Sequence, residues 1–233
     1  MTTMVKLRNV GKSFTLHVQG SVTIPVFENL DLEVAAGECV ALLGPSGAGK
    51  SSLMRMIYAN YTCPAGEILV RHGNNWVDMA AGDAHLILDV RRQTLGYVSQ
   101  FLRVIPRVST LNVVMEPLLT TGVSKADANV QAQAILQRLN IPQRLWSLSP
   151  MTFSGGEQQR VNLARGFVQQ RPIMLLDEPT ASLDPENRRV VLDLINEARA
   201  NGAAIIGIFH DADARQQLSS REFDTTQFTQ VAA

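Results

Sequence analysis

The chain has 233 residues, 45% of them hydrophobic, enough apolar mass for a full core within one domain. Lys plus Arg and Asp plus Glu number 21 each. That balance leaves no global field to draw the chain to nucleic acid or an anionic membrane, so no nucleic-acid partner is expected. Cys39 and Cys63 form no disulfide framework, and the start MTTMVKLRNV lacks an apolar signal segment. The most apolar runs, VALLG, IMLLD and AAIIGIF, are too short to span a bilayer. A cytoplasmic chain without direct membrane insertion is expected.

Residues 1–36 predict an antiparallel β part. VKLRNV and VFENLDLEV flank a polar loop, and Leu30, Leu32 and Val34 alternate with Asp31 and Glu33, as in a strand with one wet face. AAGE at 35–38 reads as a turn. Short apolar strands then recur, each followed by helical sequence: CVALL, LGYVS, IMLLD and AIIGIF. Unbroken apolar runs imply strands covered on both faces, and so an α/β core with a mostly parallel sheet. That core takes residues 37–100 and 166–215.

Residues 101–165 hold no strand pattern and predict an inserted helical subdomain. One helix starts after Ser124, with Asp127 in capping-box position and Ala132, Ile135, Leu136 and Leu139 on one stripe. Another starts after Asp184, with Pro185 at its first position, Val191, Leu194, Ile195 and Ala198 on its apolar stripe, and Asn201-Gly202 at its end. Residues 216–233 read as a polar, weakly patterned tail.

Two stretches have the anatomy of anion sites. GPSGAGKSS comprises Gly44, Pro45, Ser46, Gly47, Ala48, Gly49, Lys50, Ser51 and Ser52, and fits G-x-x-x-x-G-K-[ST] between a strand and a helix. Glycines let successive N–H groups converge on phosphate oxygens, and the helix N-terminus adds a favourable dipole. Lys50 brings a mobile positive charge and Ser51 a magnesium ligand. IMLLDEP ends a strand in Asp177, suited to Mg²⁺, and Glu178, suited to polarising an attacking water. Together these parts imply hydrolysis of a nucleoside triphosphate. The second anion site is FSGGE, where Ser154, Gly155, Gly156 and Glu157 open a helix with unpaired N–H groups.

With those motifs in this order, the chain resembles the nucleotide-binding subunits of ABC ATPases over about residues 4–215. GPSGAGKS resembles the Walker A loop, IMLLDE the Walker B strand, Gln100 the Q-loop glutamine, FSGGE the signature motif, ASLD with Asp184 the D-loop, and His210 the switch histidine. Phe14 stands where an aromatic stacks on adenine. Phe153 and Glu157 depart from the usual Leu and Gln of the signature. The resemblance implies a P-loop core of RecA-like type, and ATP with Mg²⁺ held by Ser51, Asp177 and Gln100. It implies catalysis by Glu178, Gln100 and His210. It also implies a head-to-tail pair, with itself or a sister chain, in which FSGGE of one chain caps ATP held by the other.

The flanking sequence, WSLSPMTFSGGEQQRVNLARGF with RPIMLLDEPTASLDPENRRVV, is similar to the PhnL-type ATPases of bacterial phosphonate utilisation. That similarity implies a role with the soluble carbon–phosphorus lyase core subunits, at or near formation of ribose 1-phosphonate triphosphate from alkylphosphonate and purine nucleotide. QFLRVIPRVSTLNVVMEPLL also resembles ATPases of membrane transporters, of lipoprotein-release or macrolide-efflux type or for phosphonate import. Phe101–Pro117 discriminates these readings, with Arg103 and Arg107 as candidate docking charges. A non-enzymatic ATP clamp would lack a carboxylate at Glu178, and a small-molecule kinase leaves FSGGE and ASLD unexplained.

Overall fold

Two hydrophobic periodicities build two sheets. A computed structural model describes residues 2–16, 22–102 and 106–228. In chain order its elements are β1 (Thr3–Leu16), β2 (Val22–Ala35), β3 (Cys39–Leu43), α1 (Lys50–Ile57), β4 (Ala65–His72), β5 (Asn75–Asp78), α2 (Ala84–Gln93) and β6 (Leu95–Val98). There follow α3 (Thr110–Thr120), α4 (Lys125–Arg138), α5 (Gly155–Phe167), β7 (Ile173–Asp177), α6 (Pro185–Ala200), β8 (Ala204–Ile208), α7 (Ala212–Leu218) and β9 (Arg221–Asp224), with short 3-10 turns between some of them.

The antiparallel sheet has the order β2-β1-β4-β5. It is wider than the sequence division at residue 36, because AGEILVRH returns to pair with β1 and NWVD pairs in turn with AGEILVRH. The hairpin β1–β2 also runs through much of the expected polar loop, pairing Phe14 with Ile24 and Thr15 with Thr23. Its outer end is exposed on both faces, so the sequence there carries no inside–outside alternation. The inner end buries Val5, Leu7, Phe27, Leu30 and Leu32 against Leu53, Met54 and Ile57 of α1. Each such side chain contributes about 1.5–3 kcal/mol.

The second sheet is parallel, with the order β6-β7-β8-β3-β9. Val40 and Leu42 face α1 and the antiparallel sheet, while Cys39 and Ala41 join the opposite core with α5, α6 and the helical subdomain. Both faces are covered, which is why these strands read as unbroken apolar runs. Parallel pairing puts the carboxyl ends of β3, β6, β7 and β8 on one edge, where ligands bind in open α/β sheets.

The tail expected at 216–233 is corrected over 216–228, and residues 229–233 lie outside the described residues. β9 adds a parallel edge strand to β3, and Thr225–Phe228 forms a 3-10 turn beside it. Thr225 Oγ1 donates to the Leu43 carbonyl at 2.8 Å, tying this segment to the start of the phosphate loop. REFD, three charged residues around Phe223, gave no strand signal because an edge strand buries little. The two predicted helices stand. Ser124 Oγ accepts from Asp127 N–H and Asp184 from Asn187 N–H, and Gly202, at φ 91°, follows α6.

Candidate functional site

The loop after β3 curls because its glycines adopt backbone angles closed to other residues. Gly49 has φ 82°, and a Cβ there would come within 2.3 Å of Val26 Cγ1. The antiparallel hairpin thus forms the back wall of the loop. α1 starts at Lys50, so its N-terminus faces the loop cavity. Lys50 is only 9% exposed, and its ammonium donates to the Gly44 and Pro45 carbonyls at 2.7 and 2.8 Å. Burial lowers its pKa, an effect opposed by the charges of Glu178 and Asp177.

Ser51, in the first turn of α1, donates through Oγ to Asp177 Oδ1 at 3.2 Å. Tyr97 on β6 donates to Asp177 Oδ2, also at 3.2 Å. Asp177 is 1% exposed, and burial pushes its carboxyl above the usual range, partly offset by the two hydroxyls. Tyr97 is pushed up to about 12 by burial and by the Asp177 charge. Among the described residues, the hydrogen-bond partners of this carboxylate are hydroxyls, not a cation. A buried anion beside a serine hydroxyl is a hard-oxygen pair that fits Mg²⁺, which binds through one or two protein oxygens together with substrate phosphates. No three His, Cys, Asp or Glu side chains converge among the described residues, as a self-sufficient protein cage would require.

Glu178 follows in a left-handed backbone, φ 54°. That conformation costs a non-glycine residue about 1–2 kcal/mol, and the surroundings enforce it. Glu178 N–H donates to Ile208 O at 3.1 Å, and its carbonyl accepts from Ala181 N–H at 3.2 Å and from Gln159 Nε2 at 3.3 Å. The carboxylate is thereby turned to meet two neighbours from adjacent strand ends. Gln100 Nε2 donates to Oε2 at 3.1 Å, and His210 Nε2 lies 2.7 Å from Oε1. Lys50, Ser51, Gln100, Asp177, Glu178 and His210, spread over 161 positions from first to last, are thus drawn together by direct contact or shared elements.

The other predicted residues lie elsewhere. Phe14 is 36% exposed, edge-on to Tyr61 at 5.8 Å, with Lys12 Nζ 5.1 Å from its ring centre. It sits two residues beyond Lys12, which pairs with the back-wall residue Phe27. FSGGE opens α5 at the edge of the helical subdomain. Phe153 packs into that core, and Ser154 and Glu157 form a reciprocal capping box. The Ser154 hydroxyl and backbone N–H both donate to the Glu157 carboxylate, which holds it below the usual range. The Ser154 hydroxyl is therefore committed within its own turn. The backbone N–H groups of Gly155 and Gly156 belong to the first helical turn, which has no intrahelical acceptors for them, and a Cβ on Gly155 would meet only open space. Arg107 has φ 68°, and Arg103 lies outside the described residues.

Sequence reasoning missed Tyr97, Gln159 and Asn162. Gln159 and Asn162 are buried on α5; Gln159 reaches the Glu178 and Pro179 carbonyls, and Asn162 Nδ2 reaches Ser99 O at 2.5 Å, next to Gln100. The available signal was a polar residue at a position the helical stripe would fill with an apolar one.

Comparison with known proteins agrees with this geometry. Residues 27–181 match the family described as ABC transporter. The chain is 32% identical to the uncharacterized ABC transporter ATP-binding protein YvrO of Bacillus subtilis, over 94% of this chain and 93% of that protein. It is 34% identical to the lipoprotein-releasing system ATP-binding protein LolD of Xylella fastidiosa, over 89% of this chain and 84% of that one. It is 32% identical to the macrolide export ATP-binding/permease protein MacB of Marinobacter nauticus, over 92% of this chain but 33% of that protein. Among solved structures, the ATP-binding cassette MJ0796, in a dimeric post-hydrolysis state bound to ADP and Pi, superposes with a TM-score of 0.84 at 28% identity, over 95% of this chain and 94% of that one. Its fold, its motifs in order and these relatives place the chain in the ABC transporter family, as an ATP-hydrolysing nucleotide-binding domain.

Proposed function

We propose that this chain is the ATPase subunit of a membrane transporter and works as a head-to-tail pair of two copies with ATP bound between them. The observation that carries the pairing is the division of the site. The phosphate loop, Asp177, Glu178, Gln100 and His210 gather at the sheet edge, whereas the open N–H groups of Gly155 and Gly156 belong to a separate turn on α5. Donors of that kind fit the γ-phosphate of ATP held by the partner copy.

In this reading the loop N–H groups and Lys50 hold the phosphates. Ser51, Asp177 and Gln100 would hold Mg²⁺, which would supply positive charge to the phosphate oxygens. Glu178 accepts the proton of the attacking water as the bond from the γ-phosphorus to the bridging oxygen breaks, giving ADP and phosphate. His210 and Gln100 orient the Glu178 carboxylate, and Phe14 offers a ring face to adenine.

The transporter role is supported by the relatives, whose names are those of a lipoprotein-releasing system, macrolide export and glutamine transport. It is also supported by a groove of about 780 Å³ between the core and the helical subdomain, lined by Leu88, Arg91, Tyr97, Glu116, Pro117 and Arg165. Leu88 is 58% exposed, and Phe101, just past the Ser99 that Asn162 holds, is 73% exposed. Exposed apolar side chains beside a cleft suit a partner segment. The phosphonate reading rests on flanking texture alone, and none of the relatives named above is a lyase subunit. The test is mild detergent purification of the tagged chain from native cells. A polytopic membrane protein at one-to-one stoichiometry supports the transporter; soluble lyase subunits in its place restore the phosphonate role.

A further inference from the structure

The signature turn and the ASLD turn touch directly. A Cβ on Gly156 would lie 3.1 Å from the Ser182 carbonyl oxygen, so only glycine allows this approach without displacement. Behind the contact runs a chain of hydrogen bonds that closes into a circuit through the Gly156–Ser182 approach and the 182–184 backbone. Asp184 caps α6, accepting from the Asn187 N–H at 2.9 Å and from Asn187 Nδ2 at 2.6 Å. Asn187 is 7% exposed, and its Oδ1 accepts from Asn140 Nδ2 at 3.1 Å. Asn140 follows α4 in a left-handed conformation, φ 52°. Its carbonyl accepts from Arg160 Nη1 at 2.6 Å, and Arg160 Nε returns to the Gly156 carbonyl at 3.4 Å.

Asn187 is the constrained member. It is buried with both ends of its amide used, so it cannot turn over without leaving a donor or an acceptor unpaired. The circuit spans the helical subdomain (Asn140, Arg160) and the core (Asp184, Asn187) at the place where both present a turn to the same side. Its hydrogen bonds to Asp184 hold that carboxyl below its usual range, and the Arg160 charge adds to the effect.

We infer that Asn140 and Asn187 are positioning residues that join the 154–157 and 181–184 turns into one rigid surface, so that both reach the partner copy together. The inference rests on the paired-copy reading above. Neither residue touches nucleotide; each acts through Gly156 and Asp184. Breaking the circuit weakens association of the two copies and leaves ATP binding to the chain's own phosphate loop intact.

The test uses the full chain with Glu178→Gln, which slows turnover so that the ATP-bound pair accumulates. Asn140→Gly keeps the positive φ and removes the amide, and Asn140→Asp keeps the shape and removes the donor. Sedimentation in ATP over a range of chain concentrations gives the dimer dissociation constant, and a fluorescent ATP analogue gives the affinity of the monomer. Both Asn140 variants are expected to weaken the dimer about tenfold with unchanged monomer affinity. Asn187→Ala with Asn140→Gly is expected to be no weaker than Asn187→Ala alone, because one circuit is already open. Variants that lower Tm yet leave the dimer constant unmoved overturn the inference and leave the pairing standing. A Glu178→Gln parent that stays monomeric at saturating ATP overturns the pairing, and the inference with it.

Discussion

Replacing Glu178 separates chemistry from backbone strain at one position. Glu178→Gln keeps the shape and one oxygen to accept from Gln100, turns the other position into an N–H donor facing His210, and removes the proton acceptor. Loss of a general base lowers kcat by roughly 10²–10⁴-fold, or about 2.7–5.4 kcal/mol in the barrier. Nucleotide affinity is expected to stay within about threefold, since the Lys50 contacts to the loop are untouched. Glu178→Gly removes the same carboxylate and also relieves the left-handed backbone at φ 54°. Relief of about 1–2 kcal/mol, less about 0.5–1 kcal/mol for the entropy of glycine, leaves about 0–1.5 kcal/mol in favour of glycine over alanine, which lacks the same side-chain contacts. At this chain length that raises Tm over the alanine variant by up to about 6 °C. The Gln, Gly and Ala variants are assayed by steady-state phosphate release, equilibrium binding of a fluorescent ATP analogue and thermal unfolding. A Glu178→Gln kcat within tenfold of the parent removes Glu178 from the base role. A Glu178→Gly protein less stable than a Glu178→Ala protein, which lacks the same Gln100 and His210 contacts, refutes the strain argument, because the Ile208 and Ala181 hydrogen bonds would then favour the conformation unaided.

Three further outcomes are expected. Lys50→Ala loses a charge-assisted donor worth about 1.5–3 kcal/mol, so ATP affinity falls roughly 10- to 150-fold by equilibrium binding; undiminished affinity contradicts the phosphate-loop assignment. Ser154→Arg breaks the capping box, lowering stability by about 1 kcal/mol, and fills the space before Gly155; ATP still binds the monomer, but sedimentation detects no ATP-dependent pair. Burial pushes the Cys39 thiol up to about 12. The unfolded thiol ionises near 8.5 while the native one stays protonated, so from about pH 8.5 towards 12 stability falls by about 1.4 kcal/mol per pH unit from this group. Urea unfolding at pH 8 and pH 10 measures that fall, and Cys39→Ala should remove its share of the slope.

How much was legible depends on how far apart the cooperating atoms lie in the chain. GPSGAGKS is built from its own backbone, so sequence alone places the phosphate cradle and names Lys50. The capping residues Ser124 and Asp184 were legible for the same reason, since each bonds a backbone N–H three positions on. Gln100, Asp177, Glu178 and His210 were legible as strand-end residues in a recognisable order, but their order along the chain says nothing of distance. The strands AGEILVRH and REFD were missed because their burial depends on partners contributed by β1 and β3.

Sequence by itself determined the α/β class, the phosphate loop and the family, because local backbone chemistry and unbroken apolar runs are written within short windows. Tertiary structure decided the rest. The parallel order β6-β7-β8-β3 brought Gln100, His210 and Glu178 within hydrogen-bond distance, and packing held Glu178 in a conformation that its own residue type disfavours. Packing also set the two-glycine turn against Ser182 and linked it, through Asn140 and Asn187, to Asp184. Those relations depend on distances between elements, which are fixed when the two cores close.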